Sequence, residues 1–158
     1  MARDPIPTWY FAVVVVRHED RFLLVHERKH GQLWYLPAGR VEFGETLAMA
    51  ACRETLEETG VSIRLTGLLH LEHSPVPGGA RVRAVFLAEA TGDTAPKSVP
   101  DEESLGAAWV SVADLTNYPL RHPEVVDILR HVAEGATVYP LSLLRPEGGW
   151  LGASPRED

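Results

Sequence analysis

Three glutamates, Glu54, Glu57 and Glu58, lie close together in the segment 46–59, which has the apolar spacing of a helix. At the helical rotation of about 100° per residue, they fall within about 100° of one another and share one face. Like charges at this spacing destabilise an isolated helix, whereas a cation between them reverses the sign of that effect. Hard oxygen ligands suit Mg²⁺ or Mn²⁺, and Mg²⁺ shares its coordination with substrate phosphates and water. The cluster therefore indicates either a solvated acidic face or a metal-assisted phosphate site.

The residues around these glutamates decide between the two interpretations. They follow a fixed spacing: Gly39, five residues, Glu45, seven residues, Arg53-Glu54, two residues, Glu57-Glu58, one residue, Gly60, and then the apolar Val61. Seven fixed residue types at usages of about 5–7% each would match by chance on the order of once in 10⁹ start positions. The pattern resembles the signature of the Nudix hydrolases, the MutT-like superfamily. It departs only at Thr55, where the family usually has an aliphatic residue, and threonine is nearly isosteric with valine.

The resemblance implies a mechanism and assigns residues to it. Nudix enzymes cleave a diphosphate linkage in nucleoside diphosphates that bear another group, using Mg²⁺ or Mn²⁺ and an attacking water. By motif position, the resemblance implies that Glu54, Glu57 and Glu58 are the metal ligands, with Glu58 as the first choice for direct contact with the metal. The backbone carbonyl of Gly39 is implied as a further ligand. Arg53 then orients a catalytic glutamate through a charge-assisted hydrogen bond.

The role of Glu45 and the identity of the general base are both open to more than one interpretation. Glu45 occupies the helix-start position of the motif, where it is either a catalytic group or a favourable charge at a helix N-terminus. The general base of the family varies and often lies on a later loop. The candidates here are Asp101, Glu102 and Glu103, with Glu103 as first choice, and the alternative for each is a solvated loop acid.

Short segments outside the motif resemble one branch of the family. They are residues 34–40, 103–109, 119–121 and 139–141. The branch contains the 8-oxo-guanine nucleoside diphosphate phosphatases and a bacterial nucleoside phosphatase. The resemblance implies a nucleoside di- or triphosphate substrate, with an oxidised guanine nucleotide among the candidates. We expect Arg28, Tyr35 and Arg40 to contact the substrate, although Arg28 is also compatible with an ordinary surface arginine.

Aromatic residues in these segments are candidates for stacking on a base. Trp34, Tyr35 and Trp109 are the three candidates, and for Trp109, in a predicted core strand, packing is the favoured role.

Two other functions compete with this one. The segment 74–79 follows the motif at roughly the distance where ADP-ribose-cleaving Nudix enzymes carry a proline-containing loop, but an ordinary turn needs the same residues. A catalytically inactive nucleotide-sensing module is the other alternative. Such modules typically lose glutamates of the motif, and all of them are present here.

The elements that must position these residues mix strands and helices without regular alternation. The sequence predicts strands at 8–17, 21–26, 61–71, 82–90 and 107–111, an extended segment at 34–37, helices at 46–59 and 124–134, and a helical turn at 112–115. It predicts loops at 39–44, 74–79 and 91–103. The fold class is therefore α/β (α+β) with a mixed sheet, and the resemblance implies the Nudix α/β/α sandwich. We expect one domain, 1–148, and a flexible tail, 149–158. On the first helix, Met49, Cys52 and Leu56 form an apolar stripe that is predicted to pack in the core.

Composition limits the class of partner. The chain has 158 residues and a formal net charge of −7, and it shows no Lys/Arg-rich run, so we expect no nucleic-acid partner. A single cysteine, Cys52, excludes an intrachain disulfide and a Cys-rich zinc site. The longest apolar run, residues 9–16, is too short to cross a bilayer. We expect a cytoplasmic protein with a small-molecule nucleotide substrate, and the resemblance adds a homodimer as a candidate assembly.

Overall fold

A computed structural model describes residues 3–148 of the chain. It contains seven strands: β1 (Thr8–His18), β2 (Arg21–Glu27), β3 (Trp34–Tyr35), β4 (Ala38–Arg40), β5 (Ile63–Val76), β6 (Gly79–Ala90) and β7 (Ser104–Ser111). It contains two α-helices, α1 (Leu47–Thr59) and α2 (Glu124–Ala133), and two short 3₁₀ helices, Val112–Asn117 and Leu141–Leu143. No helix within residues 3–148 is long and apolar enough to span a membrane.

The seven strands form one mixed sheet with β1 near its centre. β1 runs parallel to β6, in a register that extends from Thr8 opposite Ala80 to Arg17 opposite Glu89. The other pairings, including β5 with β6 and β2 with β7, are antiparallel. β1 is buried on both faces because its centre, Ala12 to Val16, is a run of small and β-branched apolar residues. The predicted mixed sheet is confirmed.

The two helices cover opposite faces of this sheet. Helix α2 contributes Val125, Leu129 and Val132 to one apolar core, which includes alternate residues of β1. Helix α1 contributes Ala50 and Ala51 to the core on the other face. The architecture is therefore the predicted α/β/α sandwich. The predicted tail, 149–158, lies outside the described residues.

The predicted apolar stripe on α1 is wrong. Met49 and Leu56 are 55% and 49% exposed, and Cys52 is also exposed rather than part of the core. The face of α1 that meets the sheet consists of small residues instead: Ala50, Ala51, Thr55 and Thr59. Small residues let the helix approach the sheet closely. The Thr55 hydroxyl is fully buried and donates to the Ala51 carbonyl at 2.8 Å, so the unusual residue of the motif keeps a hydrogen-bond partner.

Two predicted loops are shorter than the sequence indicates. β5 continues to Val76 and β6 begins at Gly79, so the segment 74–79 is mostly the end of a hairpin with a two-residue turn. Gly78 adopts a φ of 79° in that turn, a conformation that glycine tolerates. The start of the loop 39–44 belongs to β4, which pairs with residues 11–13 of β1.

Candidate active site

Helix α1 is fixed at both ends beside strand β4. The Thr46 side chain caps its N-terminus by accepting a hydrogen bond from the backbone N–H of Met49 at 3.1 Å. Gly60 ends the helix with a φ of 73°, and its N–H donates to the Leu56 carbonyl. The caps define where the helix begins and ends, and one side of α1 then faces the backbone of Ala38–Arg40.

Arg53 connects several of the motif residues. Its guanidinium donates to both oxygens of Glu45, at 2.6 and 2.9 Å, and to Glu54 at 2.9 Å and Glu57 at 3.1 Å. A further N–H donates to the carbonyl of Arg40 at 3.1 Å. The hydrogen bond from Arg53, with another from the backbone of residue 42, lowers the pKa of Glu45 to about 2. Glu45 is therefore ionised and held, and Arg53 fixes the position of three carboxylates.

Gly39 and Glu54 are in close approach across the gap between β4 and α1. A Cβ atom added to Gly39 would overlap all three atoms of the Glu54 carboxyl group. Burial raises the pKa of Glu54, against the hydrogen bond from Arg53, and the negative charges of Glu57 and Glu103 raise it further. Only glycine at position 39 leaves room for this carboxylate.

Glu58 lies deeper than the other glutamates of the motif. One of its oxygens accepts a hydrogen bond from the backbone N–H of Ala38 at 3.0 Å. Burial raises the pKa of Glu58 to about 8, and the negative charges of Glu54, Glu27 and Glu103 add to this effect. Glu58 thus lies among other carboxylates whose negative charges favour its protonated form.

The donor chemistry at this position fits a hard divalent cation. Within residues 3–148, no group of three or more acidic, histidine or cysteine side chains is already gathered in a geometry that could hold a metal ion. The carboxylates near Glu58 nevertheless supply oxygen ligands, and the missing side chain of Gly39 leaves room for the carboxylate of Glu54. The raised pKa of Glu58 reflects its burial and the repulsion between these negative charges. A cation would relieve that repulsion, so the residues present fit Mg²⁺ or Mn²⁺.

A cavity of about 600 Å³ opens beside these carboxylates. Glu58, Glu103 and Gly39 lie on its acidic side. The basic residues that line it are Arg28, Lys29, Arg40, Arg81, Arg83 and Arg121. All three predicted substrate contacts, Arg28, Tyr35 and Arg40, are therefore brought to one cavity.

Several of these cations have no carboxylate partner. Among the described residues, Lys29, Arg40 and Arg81 form no ion pair, and the Arg81 guanidinium lies 4.9 Å from the centre of the Phe11 ring. Arg28 donates from Nε to the backbone carbonyl of Asp101 at 2.7 Å, which leaves its charge unneutralised. These four cations can therefore receive a polyanion without first breaking an ion pair, whereas Arg83 and Arg121 are already paired.

Tyr35 lines the cavity and is part of a hydrogen-bonded network. Its hydroxyl donates to Glu124 at 3.1 Å and accepts from Arg83 at 3.2 Å. The guanidinium of Arg121 lies 4.9 Å from its ring centre. Burial raises the pKa of Tyr35, so the hydroxyl stays protonated as a donor. Trp34 and Trp109 do not line the cavity; Trp34 stacks on the ring of His26 at 4.7 Å.

The three candidate bases on the loop before β7 differ in their surroundings. Asp101 accepts hydrogen bonds from the backbone N–H groups of Glu103 and Ser104, at 2.9 and 3.1 Å, and pairs with Lys97. These contacts, with the one to Lys97 the largest, lower the pKa of Asp101 to about 2. Glu102 and Glu103 are exposed and line the cavity. Asp101 therefore organises the loop, and its two neighbours are the carboxylates that face the cavity.

Sequence reasoning missed Lys29, Arg81, Arg83, Arg121 and Glu27, which also line this cavity. Arg81 and Arg83 alternate along β6, and this period of two was the available signal that they share one face of the sheet. Arg121 and Glu27 are brought together by tertiary structure, across 94 residues of sequence, and no local pattern indicates their pairing.

A sandwich of this topology, in which α1 presents Glu58 to a cation-lined cavity, has the chemistry that phosphate groups require. A family model described as NUDIX domain matches residues 7–132. The 8-oxo-dGDP phosphatase NUDT18 of Homo sapiens is 39% identical over 124 residues, which are 77% of this chain and 37% of that protein. Phosphatase NudJ of Escherichia coli strain K12 is 32% identical over 132 residues, 82% of this chain and 86% of NudJ.

A solved structure, a NUDIX hydrolase from Nitrosomonas europaea, aligns with a TM-score of 0.74 at 28% identity, covering 91% of this chain and all of that one. The chain belongs to the Nudix family of hydrolases. The predicted family and fold are thus confirmed. The chain spans 37% and 36% of the length of the human and mouse relatives, which therefore contain additional sequence.

Proposed function

We propose that this protein is a Mg²⁺- or Mn²⁺-dependent hydrolase that cleaves the phosphoanhydride bond of a nucleoside di- or triphosphate, with an oxidised guanine nucleotide as the leading candidate. The observation that carries the proposal is the cavity itself, in which Glu58 of α1 and Glu103 face six cations, four of which form no ion pair among the described residues. A metal ion and a polyphosphate together balance both sets of charges. The names of the human and E. coli relatives, both phosphatases, support the same reaction class.

The metal ligands in this proposal are Glu54, Glu57, Glu58 and the backbone carbonyl of Gly39. When bound, the cation neutralises phosphate charge and lowers the pKa of a coordinated water. Arg53 keeps Glu54 and Glu57 aligned through its two hydrogen bonds, so that these carboxylates need little reorganisation to bind the cation.

The other residues bind the substrate and move a proton. Arg28 and Arg40 contact the phosphate groups, and Tyr35 contributes part of the surface that receives the rest of the nucleotide. Glu103 accepts the proton from the attacking water at one of its carboxylate oxygens, since the residue is exposed, lines the cavity and contacts Asp101 only through its backbone N–H. The new phosphorus–oxygen bond forms as the anhydride oxygen leaves with the second phosphate group.

The proposal also covers the partner, the location and the assembly of the protein. A small nucleotide is its partner, and the net charge of −7 argues against a nucleic acid. A cytoplasmic location and a homodimeric state are proposed with it.

A substrate panel with Mg²⁺, scored by product, tests the proposal. Each nucleotide is incubated with the protein, with EDTA as the matched control, and products are separated by chromatography. Release of phosphate from an 8-oxo-guanine nucleoside diphosphate, faster than from the unmodified nucleotide, is the expected result. AMP plus ribose 5-phosphate from ADP-ribose as the dominant reaction would favour an ADP-ribose pyrophosphatase. Binding without turnover of any candidate would favour a sensing module.

A further inference from the structure

Glu27, the last residue of β2, has one paired and one unpaired carboxylate oxygen. Oε1 accepts a hydrogen bond from Nη1 of Arg121 at 2.8 Å. Oε2 is buried and has no hydrogen-bond partner among the described residues, and the side chain as a whole is only 12% exposed. A buried carboxylate oxygen without a donor loses its hydration and gains nothing in return. A partner for Oε2 is therefore expected in the working state of the protein.

The backbone joins the end of β2 that carries Glu27 to helix α1 through β7. The pairing of β2 with β7 shifts register between His26 and Glu27, which sets Glu27 opposite Ser104. Such an irregularity re-aims the side chain that follows it. The hydroxyl of Ser104 donates to the backbone carbonyl of Glu58 at 2.7 Å, so this end of the β2–β7 pair is joined directly to α1.

Glu27 also lines the same cavity as Glu58 and Glu103. Arg121 pairs only with Oε1 of Glu27, and Oε2 is left without a hydrogen-bond partner in a residue that lines the cavity together with Glu58 and Glu103.

We propose that Glu27 is an additional ligand for the divalent cation, contributed from outside the motif, with Oε2 facing the metal ion while Arg121 holds Oε1. This inference rests on the proposed function, because the cation is that of the hydrolase. In this proposal Arg121 orients the Glu27 carboxylate by holding Oε1, so that Oε2 stays available to the cation.

Mn²⁺ binding to the full chain in the absence of nucleotide tests the inference, with free Mn²⁺ measured by electron paramagnetic resonance. The variants are Glu27→Gln, Glu58→Gln as positive control, and Glu102→Gln as a matched control at the same cavity. Since loss of groups that merely support metal ligands costs about 10–100-fold in affinity, Glu27→Gln should raise the Kd for Mn²⁺ at least tenfold. Glu102→Gln should change it less than twofold.

The possible results distinguish the proposed role of Glu27 from the proposed function of the protein. A Kd for Glu27→Gln within twofold of wild type, while Glu58→Gln loses binding, overturns the role of Glu27 and leaves the proposed function intact. The same result with a raised KM for nucleotide would make Glu27 a positioning residue for Arg121 and also overturns the inference. Wild-type protein that binds no Mn²⁺, or Glu58→Gln that binds normally, contradicts the proposed function instead.

A second variant protects the test from a folding defect. Glu27→Asp keeps the charge and shortens the side chain by one methylene group, so that one carboxylate cannot reach both Arg121 and the cation. Its Kd for Mn²⁺ should rise at least threefold with a melting temperature near that of wild type. An unchanged Kd in this variant would also overturn the proposal.

Discussion

Replacing Gly39 with alanine would put a methyl group where the Glu54 carboxylate now lies. Ordinary carbon–carbon contacts are about 3.5–4.0 Å, so the carboxylate must retreat by about 2 Å. The backbone carbonyl of residue 39 is retained, and its backbone is extended within β4, which alanine adopts without strain. The substitution therefore displaces one proposed metal ligand and leaves the rest of the site in place.

The expected loss follows from the size of that displacement. A misplacement of about 1 Å at a reactive centre costs up to about 10²-fold in rate, so we expect kcat/KM to fall by about 10²–10³-fold. The melting temperature should change little, because the displaced group is the end of a flexible side chain. Turnover of an 8-oxo-guanine nucleoside diphosphate with Mg²⁺ measures the first quantity and differential scanning fluorimetry the second.

A double-mutant cycle shows whether the two residues act through the same group. Glu54→Gln removes the charge directly, and Gly39→Ala combined with Glu54→Gln should be no worse than the more damaged single variant. Activity of Gly39→Ala within tenfold of wild type would refute the reasoning. Multiplied losses in the double variant would show that Gly39 acts independently of Glu54.

Three further predictions concern the base, the pH dependence and the core. Glu103→Gln should lower kcat at least tenfold while Glu102→Gln stays within twofold; equal losses would contradict the assignment of the base. In metal-free protein, folding raises the pKa of Glu58 from 4.5 to about 8, so the native state retains a proton that the unfolded chain releases. The free energy of unfolding should therefore fall between about pH 4.5 and 8 by a component that Glu58→Gln removes, measured by urea titration with EDTA. Thr55→Val should raise the free energy of unfolding by at most about 1 kcal/mol in the same titration, since the Ala51 carbonyl keeps its helical hydrogen bond; a large loss would mean that the Thr55 hydroxyl has a structural role.

Local sequence signals account for much of this fold. The strand predicted at 8–17 is β1 (Thr8–His18), and the helix predicted at 46–59 is α1 (Leu47–Thr59), so both agree with the structure to within one residue at each end. These features were predictable because they depend on neighbours in sequence. The motif positions follow from the same helix, since its period places Glu54 and Glu58 one turn apart.

The errors arise where tertiary packing decides. The stripe that includes Met49 and Leu56 has the spacing of a core face, yet the sheet meets the alanine and threonine face because small residues permit a closer approach. The basic wall of the cavity depends in part on the parallel pairing of β1 with β6, which brings Arg81 beside Phe11. Glu27, whose Oε2 has no partner, follows a register shift in the pairing of β2 with β7. No residue type in the sequence predicts this shift.

The kcat of Glu58→Gln with Mg²⁺ tests the central claim most directly, because Glu58 is the most buried of the proposed ligands and lines the cavity. The measurement uses the nucleotide that the substrate panel identifies, with circular dichroism and the melting temperature as controls for folding. We predict that kcat falls by several orders of magnitude in a protein that remains folded. Turnover like that of wild type would contradict the assignment of the carboxylates of α1 as the metal site.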